Sequence, residues 1–179
     1  GSTVNYMRLY NARSSDDFDM AIFNQGDYIR AIEQKISSET ISKVLYPSDA
    51  VDQGKELRLI QEYFFVACAI RDAIRRYLLD NDSFDDFSNQ VAIQLNDTHP
   101  ALAVAELMRA LMDEHKLGWD DAWTTTCATL GYTNHTLLPE ALEKRAAPLV
   151  EHVLPRHMQI IYEVNLRFMQ DMLKRYPKD

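Results

Sequence analysis

The sequence is poor in cysteine and has no long apolar run. Its two cysteines, Cys68 and Cys127, lie in apolar periodic segments and lack the spacing of metal ligands. We therefore expect two buried thiols in a reducing compartment, the cytoplasm. The sequence has no signal peptide and no stretch of about 18 apolar residues, so we predict neither secretion nor a membrane span.

Positive charge is also in short supply. The chain has 19 basic and 27 acidic residues and a net charge of −8, which argues against nucleic acid or an anionic membrane as a partner. No metal is expected, because no histidine pair has metal-ligand spacing supported by carboxylates and no HExxH motif occurs. With 179 residues, 46% of them hydrophobic, the chain is one globular domain or a piece of one.

Two β-prone runs each end in a polar cluster. The first, Val91–Leu95, is followed by Asn96–Pro100, where Asp97 or Thr98 is suited to cap a helix. The second, Thr126–Thr133, is followed by Asn134-His135-Thr136. Because ligands of α/β sheets sit at the carboxyl ends of the strands, two parallel strands would place these clusters side by side.

Helical periodicity dominates the rest of the chain. We predict about six helices, at Gly26–Leu45, Lys55–Asn81, residues 100–115, Asp120–Thr126, Leu138–Lys144 and Leu149–Arg175. The last is expected to be kinked or reset at Pro155. A third strand is predicted at Met7–Asn11, within the β-prone segment Val4–Asn11. Among the histidines outside the polar clusters, His115 and His152 are predicted at the surface or at helix ends. His157 is expected to bond backbone at a helix start. The fold class is therefore α/β, helix-dominated, with two or three parallel strands.

Several motifs, in order and with suitable gaps, carry a family resemblance. They are Tyr6–Tyr10, Val44–Pro47, Gly54–Leu59, Gln94–Pro100, Tyr132–Leu137 and Leu154–Ile161. In these segments the sequence resembles the α-glucan (glycogen/maltodextrin) phosphorylases, from about Val4 to Phe168. The resemblance implies an internal part of the N-terminal, Rossmann-like lobe of a two-lobed glycosyltransferase B-type fold. Residues 1–3, beginning Gly1-Ser2, resemble a tag-cleavage scar and lead-in.

The resemblance implies roles for residues of both polar clusters. It assigns His135 as the catalytic residue, with its ring on the 6-hydroxyl of the sugar and its backbone carbonyl near the anomeric carbon. It implies a pocket wall of substrate-binding residues around the sugar. Within residues 91–144 these are Asp97, His99, Asn134, Thr136 and Glu143. Earlier in the chain they are Asp49 and Arg58. Asp97 is expected to orient this wall rather than to react.

Other segments acquire implied roles in the same way. The helix 26–45 would contact the second subunit of a homodimer, and the loop 46–54 would gate the catalytic cleft. Residues 149–176 would form the C-terminal helices. Arg75 and Arg76 match a pair that meets an effector phosphate in animal relatives, although a helix C-terminus alone also favours arginine. Pyridoxal phosphate is implied for the parent protein, but no segment here resembles its lysine motif, so none is expected bound.

The sequence departs from the family at two places. Ser48-Asp49-Ala50 stands where Asn-Asp-Asn is common, and Arg145-Ala146-Ala147 stands where Trp-Pro-Val is usual. We expect Leu138–Ala147 to be one exposed helix with Arg145 in solvent. The function implied is that of one wall of an α-1,4-glucan phosphorylase, inactive alone and prone to self-association. The alternative is a non-catalytic helical interaction module that retains the phosphorylase scaffold.

Overall fold

The computed structural model describes residues 2–14, 24–27, 30–139 and 142–177, without the side chains of residues 30–32 and 34. The chain divides into two compact units, Gly1–Phe65 and Val66–Asp179. Within the described residues, no helix is both long enough and apolar enough to cross a bilayer.

The first unit begins with an extended segment that is not a strand. Residues 2–14 have no regular structure, so the strand predicted at Met7–Asn11 is wrong. The Ala12 amide donates to Ser42 Oγ at 2.8 Å, and that hydroxyl donates to Asn11 Oδ1 at 2.8 Å. Side-chain bonds to helix α1 (Arg30–Lys43) thus take the place of a strand ladder here. The predicted helix Gly26–Leu45 is shorter, and its residues 28–29 lie outside the described residues.

A close loop connects α1 to the longest helix. Helix α2 spans Asp52–Tyr77, starting before the predicted Lys55 and ending before the predicted Asn81. Its first turn is closed by Val51, whose carbonyl accepts from the Gly54 and Lys55 amides at 3.0 and 3.1 Å. A Cβ on Gly54 would lie 1.7 Å from the Ser48 carbonyl oxygen, so the loop passes directly against the helix start.

The second unit contains a parallel sheet, which has two strands within the described residues. Strand β1 (Ile93–Asn96) follows the short helix α3 (Phe87–Gln90), and strand β2 (Leu130–Thr133) pairs with β1 in parallel. Strand β2 falls inside its predicted run, and β1 starts within Val91–Leu95 and extends one residue further, to Asn96. Helix α5 (Trp119–Thr129) continues into the first half of the run predicted as the second strand, because its turns extend to Thr129.

The helix after β1 starts later than its sequence suggested. Helix α4 spans Ala103–Arg109 and continues as a π-helix over Ala110–Glu114. Its N-cap is Leu102, with no side-chain cap, so the predicted capping by Asp97 or Thr98 is wrong. The Asp97 carboxylate is bonded elsewhere, in the turn described below.

The chain ends in two helices that meet at Pro155. Helix α6 spans Ala147–Val153 and helix α7 spans Pro155–Arg175. Leu154 between them has φ −133° and ψ 59°, outside the helical region, as expected for a residue before proline. The predicted reset at Pro155 is therefore present.

The core of the second unit is formed mainly by α4 and the π-helix. Leu107, Met108 and Leu111 are completely buried, and Phe87 and Ile160 pack into the same cluster. The structure confirms a helix-dominated α/β fold, with seven α-helices among the described residues instead of about six. Cys68 is half-buried and Cys127 is exposed, so the prediction of two buried thiols is wrong for Cys127, which lies on the outer side of α5.

Candidate functional site

The carboxyl ends of the two strands carry the polar clusters side by side. The parallel register aligns Leu95 with Tyr132 and Asn96 with Thr133. The next residue on each strand therefore begins its turn at the same edge of the sheet. The Asp97 amide donates to the Thr133 carbonyl at 2.8 Å, which extends the ladder by one bond into the turn.

Asp97 occupies a conformation that few side chains adopt. Its φ is 63°, in the left-handed region that aspartate and asparagine tolerate better than most residues. Its Oδ1 accepts from the Thr98 amide at 2.8 Å and its Oδ2 from the Thr136 hydroxyl at 2.9 Å. The bond from Thr98, followed by that from Thr136, lowers the pKa of Asp97 below its usual value, so the group is a carboxylate at neutral pH.

The second turn leaves His135 open to solvent between two bonded neighbours. The Thr136 amide donates to Asn134 Oδ1 at 3.0 Å, which closes an Asx-type turn around His135. His135 is exposed to solvent, and it lies near enough to Asp97 for its charge to help lower the pKa of that carboxyl. The structure thus brings Asp97, Asn134, His135 and Thr136 together.

His99 and Glu143 form a second connection at this edge. His99 Nδ1 donates to Glu143 Oε2 at 3.2 Å, and the Glu143 side chain is 14% exposed. Arg145 Nη2 lies 3.2 Å from Glu143 Oε1 and its side chain is 16% exposed. The prediction of an exposed helix over Leu138–Ala147 is therefore wrong: residues 142–146 are irregular and Arg145 is largely buried against a carboxylate. Residues 140–141 lie outside the described residues. Glu143 contacts His99, 44 residues earlier in the chain, and local helix propensity takes no account of such a contact.

Asp49 and Arg58, of the first unit, are paired with each other. Arg58 Nη1 donates to Asp49 Oδ2 at 3.1 Å, and the guanidinium carbon lies 5.5 Å from the centroid of the Tyr46 ring. Ala50 is exposed in the same loop and has no polar side chain. Arg75 and Arg76 are exposed in the last turn of α2, where Arg75 Nη2 bonds Asp72 at 2.9 Å.

Sequence reasoning missed a buried ionic network between α4 and α7. His157 Nε2 donates to Glu106 Oε2 at 2.6 Å, and both side chains are 4% exposed. Arg109 binds the same carboxylate through Nε and Nη2, each at 2.8 Å. We expected His157 to bond backbone, and its Nε2 bonds this side-chain carboxylate. The three-residue spacing of Glu106 and Arg109 was a usable signal. The pairing with His157, 51 residues away, had none.

These features together define a class of protein. Helices surround a parallel strand pair whose carboxyl ends carry carboxylate, amide, imidazole and hydroxyl groups, the arrangement with which α/β proteins bind ligands. A family model described as carbohydrate phosphorylase matches residues 1–179. The chain belongs to the carbohydrate phosphorylase family.

Three curated relatives illustrate the similarity. The glycogen phosphorylase of Synechocystis sp. is 54% identical over 178 residues, which are 99% of this chain and 21% of the relative. The liver form of Ovis aries is 52% identical over 186 residues, covering 99% of this chain and 22% of the relative. The glycogen phosphorylase of Saccharomyces cerevisiae is 50% identical over 178 residues, which are 99% of this chain and 20% of the relative. The chain thus spans about a fifth of the length of these relatives.

Proposed function

We propose that this chain is one part of an α-glucan phosphorylase, a cytoplasmic glycosyltransferase. The whole protein would transfer terminal glucosyl units reversibly between an α-1,4-glucan and phosphate, giving glucose 1-phosphate. The observation that carries the proposal is the exposed His135 between two bonded neighbours at the carboxyl edge of the sheet. Membership of the family supports it independently.

His135 has the surroundings that a sugar-contacting residue needs. Its ring is exposed to solvent, so it is available to bind the 6-hydroxyl of a glucosyl unit. Its backbone carbonyl, held by bonds on both sides, would face the anomeric carbon. A fixed carbonyl dipole there would stabilise the positive charge that develops during cleavage. Asn134, His99 and Glu143 would complete the polar wall around the sugar.

The proposal extends to the segments outside this edge. Asp49 of the loop 46–54, which would gate the cleft, and Arg58 of α2 would add substrate contacts, and their ion pair gives that loop a defined attachment to α2. The helix 26–45 would contact the second subunit of a homodimer. The exposed Arg75 and Arg76 would bind the phosphate of an effector.

Pyridoxal phosphate belongs to the proposed whole protein but does not fit the residues that the structure describes in this chain. A Schiff-base lysine needs a desolvated, enclosed setting. The described lysines are exposed apart from Lys35, which is half-buried and lies 4.0 Å from Glu39 on α1. The lysine that holds the cofactor would therefore lie in another part of the whole protein.

The test is the formation of glucose 1-phosphate by the whole protein with pyridoxal phosphate present. We expect turnover by the unaltered protein and a loss of roughly 100-fold or more in kcat/KM for His135→Ala, because a preorganised contact to the reacting sugar is removed. His152→Ala is the matched control, since His152 is also exposed but lies on α6. It should stay within about threefold of the unaltered protein.

Two other outcomes would contradict the proposal. Turnover by these 179 residues alone would show that no second lobe is required. A whole protein that binds glucan but never releases glucose 1-phosphate would favour the non-catalytic interaction module. The pairing of Arg145 with Glu143, at a position where the family usually has tryptophan, is the observation on the side of that alternative.

A further inference from the structure

Two side chains at the sheet edge, those of Asp97 and Thr136, are hydrogen-bonded to each other. Oδ2 of Asp97 accepts from the Thr136 hydroxyl at 2.9 Å, and Oδ1 accepts from the Thr98 amide at 2.8 Å. The Thr136 amide is also bonded, to Asn134 Oδ1 at 3.0 Å. The Asp97 carboxylate therefore accepts a hydrogen bond at each of its two oxygens, and its bond with the Thr136 hydroxyl joins the two turns.

The residue between these anchors is His135. Thr136 follows it and is held through both its backbone amide and its hydroxyl. Asn134 precedes it and supplies the oxygen that closes the turn. Two hydrogen bonds thus restrict the peptide groups on either side of His135, while its own ring stays exposed.

The backbone conformation of Asp97 also indicates that contacts at this edge hold the turns in place. A non-glycine residue at φ 63° is strained, and such a conformation persists where surrounding contacts impose it. The amide of Asp97 donates to the Thr133 carbonyl at 2.8 Å. The backbone that carries the carboxylate is therefore already hydrogen-bonded to β2. If the carboxylate turned toward a sugar instead, the Thr136 hydroxyl would lose its partner in this turn.

Resting on the proposed function, we infer that Asp97 and Thr136 are positioning residues for phosphorolysis and not ligands of the sugar. Their mutual bond holds the His135 segment in the geometry that the sugar meets. The family resemblance places both residues among the substrate-binding groups, and the inference extends to Thr136 the orienting role expected of Asp97.

A double-mutant cycle in the whole protein separates the two roles. Asp97→Gly removes the carboxylate without adding strain, because glycine adopts φ 63° freely. Thr136→Val removes the hydroxyl and keeps the shape. If the two residues act through one bond, the double variant should be about as impaired as either single variant. Independent contacts to the sugar would give multiplied losses, and that result would overturn the inference.

The kinetic pattern is also specific. We expect each single variant to lose roughly tenfold to 100-fold in kcat with KM for the glucan changed by less than about threefold, because misplacing a reacting group costs rate more than binding. Thr136→Ser retains the hydroxyl and should recover to within about threefold of the unaltered protein. A rise in KM with kcat unchanged would instead show a lost ground-state contact to the sugar.

Thr133→Val is the matched control for folding. Its hydroxyl accepts from Gln94 Nε2 at 2.7 Å, so it also loses a bond between the two strand ends, but that bond does not flank His135. We expect this variant to keep activity within about threefold and the melting temperature of Thr136→Val. If Thr133→Val lost as much activity as Thr136→Val, any weakening of the strand pair would be enough to impair activity, and the positioning role would be contradicted.

Hydrogen exchange over residues 134–137 gives a readout that needs no turnover. Asp97→Gly and Thr136→Val should both speed exchange there, again without adding to each other, and Thr136→Ser should not. Coupled exchange in a whole protein that never performs phosphorolysis would refute the proposed function and the positioning role with it. An active protein with additive losses would refute the positioning role alone.

Discussion

At the scale of single residues, the buried pair Glu106–His157 has the largest energetic consequence. Burial raises the pKa of Glu106, but the hydrogen bonds from Arg109 and His157 outweigh it, and the pKa lies below its ordinary value. A carboxylate whose folded pKa is depressed contributes stability that is fully present above its unfolded pKa. That contribution is lost as the pH falls through the folded value.

We predict that Glu106→Gln lowers the free energy of unfolding by about 3 kcal/mol at pH 7, because it breaks a buried ion pair and leaves His157 and Arg109 without their carboxylate. The loss of stability between about pH 5 and pH 3 should also become shallower, since one depressed carboxyl no longer titrates. Urea unfolding at a series of pH values measures both effects.

Glu163→Gln serves as the control for that measurement. Glu163 pairs with Arg167 at 2.7 Å on the surface of α7, and such pairs contribute little, so the change should stay below about 1 kcal/mol. Equal unfolding free energies for the two variants would contradict the role assigned to the buried network.

At the scale of secondary-structure elements, the loop 46–51 depends on one glycine of α2. Glycine inside a helix normally costs up to about 1 kcal/mol relative to alanine, so Gly→Ala usually stabilises. At Gly54 the added Cβ would lie 1.7 Å from the Ser48 carbonyl oxygen, which is backbone and cannot rotate away. Because of this contact, Gly54→Ala should destabilise the protein, whereas Gly→Ala inside a helix usually stabilises it.

We predict that Gly54→Ala lowers stability and opens the loop, with a cost of roughly 1–3 kcal/mol. Proteolysis within residues 46–51 should become faster. Gly118→Ala is the matched control, because a Cβ there meets only Asp121 Oδ2 at 3.9 Å. Its stability should change by less than about 1 kcal/mol, since the loss of an N-cap glycine opposes the gain in chain entropy. A stabilised Gly54→Ala would show that the loop is not held against the helix start.

At the scale of the whole molecule, α7 presents an apolar seam to solvent. The seam consists of Tyr162, Leu166, Met169, Leu173 and Tyr176, which follow four–three spacing and are each 48% to 59% exposed. Spacing of this kind places the four residues of α7, Tyr162 to Leu173, on one helix face, the pattern by which two helices associate, and Tyr176 is the C-cap residue after them. The described two-stranded sheet also has unpaired outer edges.

We predict that the 179-residue chain self-associates through this seam. Met169→Glu places a charge in the middle of the seam and should give a monomer. Leu79→Glu is the control, because Leu79 is 71% exposed but lies outside the seam and should not change association. Light scattering at rising protein concentration measures the mass. A monomeric unaltered chain, or equal effects of both variants, would contradict the prediction.

Much of the architecture could be predicted from local pattern. The two parallel strands, the long helix α2 and the break at Pro155 follow from periodicity and from the restricted backbone before proline. Boundaries were less accurate: α5 extends to Thr129 because β-formers such as Thr126 also complete helical turns when neighbouring turns are already formed. The side chains gathered at the sheet edge were likewise predictable from the two polar clusters.

The sequence by itself determined the family, the helix-dominated α/β class and the two turns that carry Asp97 and His135. The helices and the two turns depend mainly on neighbours within a few residues, where sterics and capping preferences act directly. Only the tertiary structure decided that Met7–Asn11 is not a strand, that Arg145 is buried against Glu143, and that Glu106 meets His157. The first and the last depend on a partner, present or missing, whose position in space is set by packing and not by its distance along the chain. The segment of Glu143 and Arg145 is contacted by His99, 44 residues earlier.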